Sequence, residues 1–195
     1  MHYLRKTLQL CQQYVQKSFD QADSSKLYFH NFAHSLEVVK QVNQLSLQLE
    51  GEQQYLLRYA AWMHDIGYLT DYTQHEDRGI AIAQNFFEPF LNDTQIQIIC
   101  GCIEATKVGF SPQNKLEALL KDADSCYCLG PHFVNRGNAL RKEWHHWLDK
   151  EYKDQAWKLV QVQFLQELEL YSNEGKKLYG PLVQHQLNLL QQKKA

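Results

Sequence analysis

The stretch AAWMHDIGY, residues 60–68, sets the reading of the chain. It closes an apolar run in which Tyr55, Leu56, Tyr59, Ala60 and Met63 recur at steps of three and four, the period of a helix face turned toward a core. At the end of that face stand an imidazole and a carboxylate side by side, His64 and Asp65. A helix that carries its apolar residues inward carries this pair inward too, and a buried carboxylate needs a partner.

The same spacing extends in both directions. Upstream it runs through Leu4, Leu8, Cys11, Val15 and Phe19, then through Val38, Val42, Leu45 and Leu49. Downstream it marks Ile80, Ala83, Phe87 and Leu91, then Ile96, Ile99, Cys100 and Ile103, a helix expected to be capped by Asp93 or Thr94 and to end near Lys107–Gly109. A Ser-Pro turn precedes Leu116, Leu119, Leu120 and Ala123, and that segment stops at Leu129–Gly130–Pro131. In the last third, Trp157, Val160, Phe164, Leu168 and Tyr171 form the clearest stripe, and Pro181 suits the first position of a terminal helix. No segment alternates like a strand. The expectation is an all-α domain of eight or nine helices over residues 1–195, with a soft boundary near Gly130–Pro131 between a core and a C-terminal helical extension at 131–195.

Composition narrows the function. Twenty Lys and Arg against 22 Asp and Glu give a net charge of −2, too little positive charge for a polymer of nucleic acid. No run reaches the ~18 apolar residues of a membrane span. Five cysteines, an odd number, and a charged, Gln-rich start favour a cytoplasmic protein. A chain of this length buries enough surface to fold unaided, so a metal would serve chemistry.

Two further segments carry similar polar groups on apolar helices: YFHNFAHSLEVV (28–39) with His34, and LLKDADSCYCLG (119–130) with Asp124. Together, His34, His64, Asp65 and Asp124 make a mixed nitrogen and oxygen set suited to a divalent ion with coordination positions left for water and substrate. An ion so held would acidify a water and polarise a phosphoryl oxygen.

In order and spacing these three segments, over about residues 28–130, resemble the HD-domain superfamily of metal-dependent phosphohydrolases. The resemblance implies an all-helical HD-type bundle and puts His34, His64, Asp65 and Asp124 in the four ligand positions of its H…HD…D pattern. Asp122 competes for the last position; Asp124 is preferred because it follows Ala123, as the family's final Asp follows Ala. On a helix the two carboxylates diverge by about 200° and do not readily share one ion. His30 lines the pocket or caps the following helix.

Two departures shape the expected chemistry. Between Asp65 and Asp124 the only histidine is His75, and IEATKVG (103–109) offers Glu104 and Thr106 where a second metal would want histidines; one divalent ion (Mn, Co, Ni, Fe, Zn or Mg) is expected. The Glu that the nucleotidase-like branch carries three residues after its HD pair is Tyr68 here. The substitute is TQHEDRG (73–79), where Asp65, His75 and Glu76 would share the acid and base work and Arg78 would touch phosphate; a helix N-terminus favouring acidic residues explains the same segment. Lys107 contacts an anion or is a solvated helix end. The run Trp144–Trp147, with Arg141 and Glu143, closes a pocket wall or docks a second subunit, which would make a homodimer. The pairs Cys100/Cys102 and Cys126/Cys128 are spaced too closely for the usual zinc site and read as buried free thiols.

The function expected is hydrolysis of a small phosphorylated metabolite, a nucleotide or related phosphoester. A non-catalytic, metal-stabilised nucleotide-binding or scaffold protein of the same fold is the alternative. A diiron protein would need paired Glu-x-x-His elements, which the chain lacks.

Overall fold

A computed structural model describes residues 2–192, and among them it contains nine α-helices and no strand. They are α1 (His2–Gln21), α2 (Phe32–Leu45), α3 (Glu52–Met63), α4 (His75–Phe87), α5 (Asp93–Ala105), α6 (Lys115–Cys126), α7 (Phe133–Leu148), α8 (Asp154–Glu167) and α9 (Asn173–Gln192). A 3₁₀ turn, Ile66–Leu69, follows α3 directly. The all-α expectation holds. The end of the sequence, 193–195, which carries Lys193 and Lys194, lies outside the described residues.

Helix α3 is the axis of the packing. Leu56, Leu57, Tyr59, Ala60, Ala61, Trp62 and Met63 are all buried, so only Arg58 of its last two turns keeps contact with solvent. Helices α1, α2 and α5 pack around it, and α6 joins α2 to α5 on the other side. The expected stripe Leu4, Cys11, Val15 and Phe19 is the buried face of α1, and Tyr59 donates its hydroxyl to the Leu4 carbonyl at 2.7 Å.

Several helix ends differ from the sequence reading, each for a local reason. Asn92, rather than Asp93 or Thr94, caps α5: its side chain accepts from the Gln95 amide while Gln95 reaches back to the Asn92 amide, a reciprocal capping box. Asp93 then lies in the first turn, where its charge suits the helix dipole. Leu49 and Leu91 are buried but sit in turns beyond the helices they were assigned to. Pro181 lies inside α9, which begins eight residues earlier, at Asn173. The helix carries it with one backbone donor fewer. Helix α8 ends at Glu167, so Leu168 and Tyr171 leave the predicted stripe, and the buried line is Trp157, Gln161 and Leu165 instead.

The 3₁₀ turn and α4 make the closest approach in the fold. A Cβ on Gly67 would overlap the His75 carbonyl, and one on Gly79 would lie 3.3 Å from the His64 carbonyl. Two glycines therefore let α4 cross directly over the HD pair, and this crossing sets where His75 and Glu76 stand. Gly67→Ala should cost on the order of 2–3 kcal/mol, since backbone cannot yield as a side chain can. Thermal unfolding checks this; a midpoint within 1 °C of the parent's (roughly 0.5 kcal/mol or less) would contradict it.

The C-terminal helices attach through polar anchors as well as packing. Helix α8 packs on α9, and α9 on α6. Asp122 accepts from the amides of Tyr171 and Ser172 and from the Ser172 hydroxyl, at 2.5–2.9 Å. Gly175 makes room for that carboxylate, because a Cβ there would overlap it.

Candidate metal centre

Three elements deliver the central groups. Asn31 caps α2, accepting from the His34 amide at 3.2 Å, and so fixes His34 in the first turn of α2. His64 is the residue after α3, Asp65 opens the 3₁₀ turn, and Asp124 lies near the end of α6. His34, His64 and Asp65 are almost fully buried, whereas the Asp124 side chain is 23% exposed. One oxygen-bearing edge of the cluster thus reaches open space.

The donor atoms converge. His34 Nε2 and His64 Nε2 are 3.1 Å apart. Asp65 Oδ2 is 2.8 Å from the first and 3.3 Å from the second, and Asp124 Oδ1 is 3.3 and 3.4 Å from them. Donors held ~2.0–2.2 Å from one ion are spaced by about this much. His34, His64 and Asp124 form a group that could hold a metal ion. Asp65 Oδ2 supports the fit: it is buried beside both imidazoles yet in hydrogen-bond geometry with neither. The second nitrogen of His64, Nδ1, lies 2.8 Å from the Ala61 carbonyl; donating there leaves Nε2 a lone pair aimed at the cluster.

Electrostatics bind the group together. Burial alone would push the His64 and His34 imidazoles down, but the Asp65 charge and the Asp124 hydrogen bond outweigh it, leaving His34 raised and His64 well above the ordinary value. Burial would raise the two carboxylates; the imidazoles hold both below the usual range. An ion entering the cluster competes with protons for these nitrogens. Metal binding should release protons and weaken as pH falls. Titration calorimetry in buffers of different ionisation enthalpy checks this; equal heats at pH 6.5 would contradict it.

Asp122, the competing carboxylate, faces away toward Tyr171 and Ser172 and is outside the cluster. Asp122→Ala should strand three donors and cost about 3 kcal/mol of stability, with metal stoichiometry unchanged; a variant that unfolds normally but no longer takes up metal would reverse the assignment.

Around the cluster lies a tier of rings. His30, just before α2, stacks on Tyr68 with centroids 4.2 Å apart, and Tyr68 stacks on His75 at 3.7 Å. His75 Nε2 is 4.0 Å from Asp65 Oδ1 and 3.2 Å from Glu76 Oε1. Burial lowers the His75 imidazole, so it is a neutral base near pH 7. Burial also raises the Tyr68 hydroxyl, which stays protonated and lies 3.4 Å from His30 Nε2. Tyr68 is thus a spacer between two imidazoles at the position where a Glu was considered.

Glu143 on α7 was noted only as a neighbour of the Trp144–Trp147 run. Its side chain is fully buried and accepts from His30 Nδ1, from the Phe29 and His30 amides and from the Tyr72 hydroxyl. No signal in the sequence links it to residues more than a hundred positions away. Burial raises its carboxyl, but the His30 and amide hydrogen bonds outweigh this and keep it ionised.

A cavity of about 670 Å³ opens over this tier, between the core and α7–α8. His30, Tyr68, His75, Glu76 and Asp124 form its floor, and Phe133, Leu140, Trp144, Val160 and Phe164 are among its walls. Of the Trp144–Trp147 run only Trp144 lines it; Trp147 stacks on Tyr72 instead, with centroids 5.4 Å apart. Two expected phosphate contacts are absent from it. Arg78 points to solvent from the outer face of α4, and Lys107 is engaged by Asp77 at 2.6 Å and Glu104 at 3.5 Å. All five cysteines are free, and four are buried.

No curated protein and no solved structure matches the chain. Among protein families, the HD domain matches residues 31–127, a span that holds His34, the His64–Asp65 pair and Asp124 in that order. The family is all-α and generally comprises metal-dependent hydrolases, as the bundle and its converging donors would lead one to expect. The chain belongs to the HD-domain superfamily.

Proposed function

We propose that the protein is a single-metal phosphohydrolase that cleaves a small phosphorylated metabolite, a nucleotide or related phosphoester. The observation that carries this is the cluster itself: two imidazole nitrogens and the Asp124 carboxylate drawn together beneath a substrate-sized cavity, with the Asp65 carboxylate beside both imidazoles. His34, His64, Asp65 and Asp124 would hold the ion. Bound there, a divalent cation supplies an acidified water and charge stabilisation for a phosphoryl group.

The rest of the chemistry falls to the chain. His75, neutral and next to Glu76, is placed to take a proton from the attacking water. His30 presents its Nε2 edge to the floor of the cavity, with Nδ1 held by Glu143, so it is placed to meet the departing oxygen. The buried Tyr68 ring is stacked between the two imidazoles and covers one face of each. His75→Ala should lower kcat by roughly 10²-fold or more, the usual scale for a lost acid or base, with metal content unchanged. Phosphate release from a phosphoester panel with Mn, Co, Ni and Mg tests the reading; binding of phosphoesters with no turnover under any metal would favour the non-catalytic alternative.

A further inference from the structure

We infer that the substrate is a phosphomonoester with one phosphoryl group on a flat, largely apolar body. This rests on the phosphohydrolase reading and sharpens its substrate class.

Charge is the first argument. Among the described residues, no Lys or Arg lines the cavity, and Glu76 and Asp124 are its only acidic groups. The cations nearby are committed elsewhere. Arg136 donates to the Phe29 carbonyl and the Tyr127 hydroxyl, Lys121 donates to the carbonyls of Ala105 and Lys107, and Lys107 pairs with Asp77. A triphosphate or bisphosphate would bring several negative charges into a space with nothing but one metal site to balance them. A single phosphoryl group on that site is balanced.

The walls give the second argument. Beyond the floor, the cavity meets aromatic and aliphatic side chains from α7 and α8, including Trp144, Val160 and Phe164. Here the structure explains why the α8 stripe reads so clearly in sequence while Val160 and Phe164 stay out of the core: they face the cavity, and Phe164 remains 41% exposed. A polyhydroxylated sugar would leave its hydroxyls unpaired against such walls, whereas an aromatic body would bury apolar surface. The volume, about 670 Å³, falls within the usual range for a small-molecule site.

On this reading water attacks phosphorus, the P–O bond to the alcohol breaks, the alcohol oxygen takes the proton, and the products are inorganic phosphate and the free aromatic alcohol.

Calorimetric binding of non-hydrolysable phosphonates tests this apart from turnover. Naphthylmethylphosphonate should bind at least tenfold more tightly than methylphosphonate, in the Mn-loaded protein and in His64→Ala alike. That preference should fall at least fivefold in Phe164→Glu, whose exposed site tolerates the change, and in Leu140→Glu as a second variant. Equal binding of the naphthyl and methyl compounds, or tighter binding of adenosine triphosphate or glucose 6-phosphate than of the naphthyl compound, would overturn the inference. If the aryl preference persists while no phosphoester is cleaved, the hydrolase reading fails and the pocket assignment stands.

Discussion

Asp124→Ala is expected to lose divalent metal binding and at least ~100-fold in phosphoester hydrolysis, more than the ~10–100-fold typical when only an outer partner of a metal ligand is removed. The reason is geometric. Asp124 is the one member of the cluster that is both within 3.4 Å of the two histidine nitrogens and open to the cavity, so it links the buried donors to the place where substrate must sit. Its loss leaves His34 and His64 with Asp65 alone. His64→Ala should be equally damaging, and because His64 is fully buried the variant also leaves a small cavity costing about 2 kcal/mol. Elemental analysis beside a rate measurement decides the matter. An Asp124→Ala protein that keeps one equivalent of tightly held metal would show that the other three residues suffice.

The second large effect concerns Glu143. Replacing it with Ala should cost about 3–5 kcal/mol, the scale for removing one partner of a buried, hydrogen-bonded charge, and lower the unfolding midpoint by about 10 °C for a chain of this size. Four donors lose their acceptor at once: two backbone amides, an imidazole and a phenol. The effect is also pH-dependent, and its sign is fixed. The Glu143 carboxyl is held below its ordinary value of 4.5, so its contribution is present above that pH and is lost as pH falls below it. Glu143→Gln should therefore differ most from the parent near neutral pH and converge on it in acid. Stability measured between pH 3 and 7 checks this; a gap that widens toward acid would contradict it. Because Glu143 lies on α7 while His30 stands before α2, the same variant should disturb catalysis through His30, linking the C-terminal extension to the site.

What the sequence revealed and what it hid follow from range. Helical faces such as Leu4 to Phe19 and Tyr55 to Met63 are legible because a period of 3.6 is a local property, and the HD pair stands out because a buried carboxylate on such a face demands company. The preference for Asp124 over Asp122 came from the resemblance, since helix geometry says only that the two point apart; the structure places Asp124 with the histidines. Caps were harder: Asn92 and Asp93 are both good capping residues, and only the reciprocal bonds with Gln95 separate them. The arrangements between distant segments were not legible at all. Glu143 reaches His30 across more than a hundred residues, and Tyr68 shows its role only when His30 and His75 are seen on its two faces. Arg78 and Lys107 mislead for a related reason. Positive charge near a site in sequence says nothing of which side of the helix it occupies, and neither residue lines the cavity.

His34, His64, Asp65 and Asp124 are proposed to hold one catalytic divalent ion. The most direct test is to strip the protein with chelator, titrate Mn back, and follow metal bound and phosphate released from an aryl phosphomonoester together. The prediction is that both rise in parallel and saturate at one ion per chain, with neither response in His64→Ala. Phosphate release that is already maximal in the stripped protein, or that persists undiminished in His64→Ala, would contradict it.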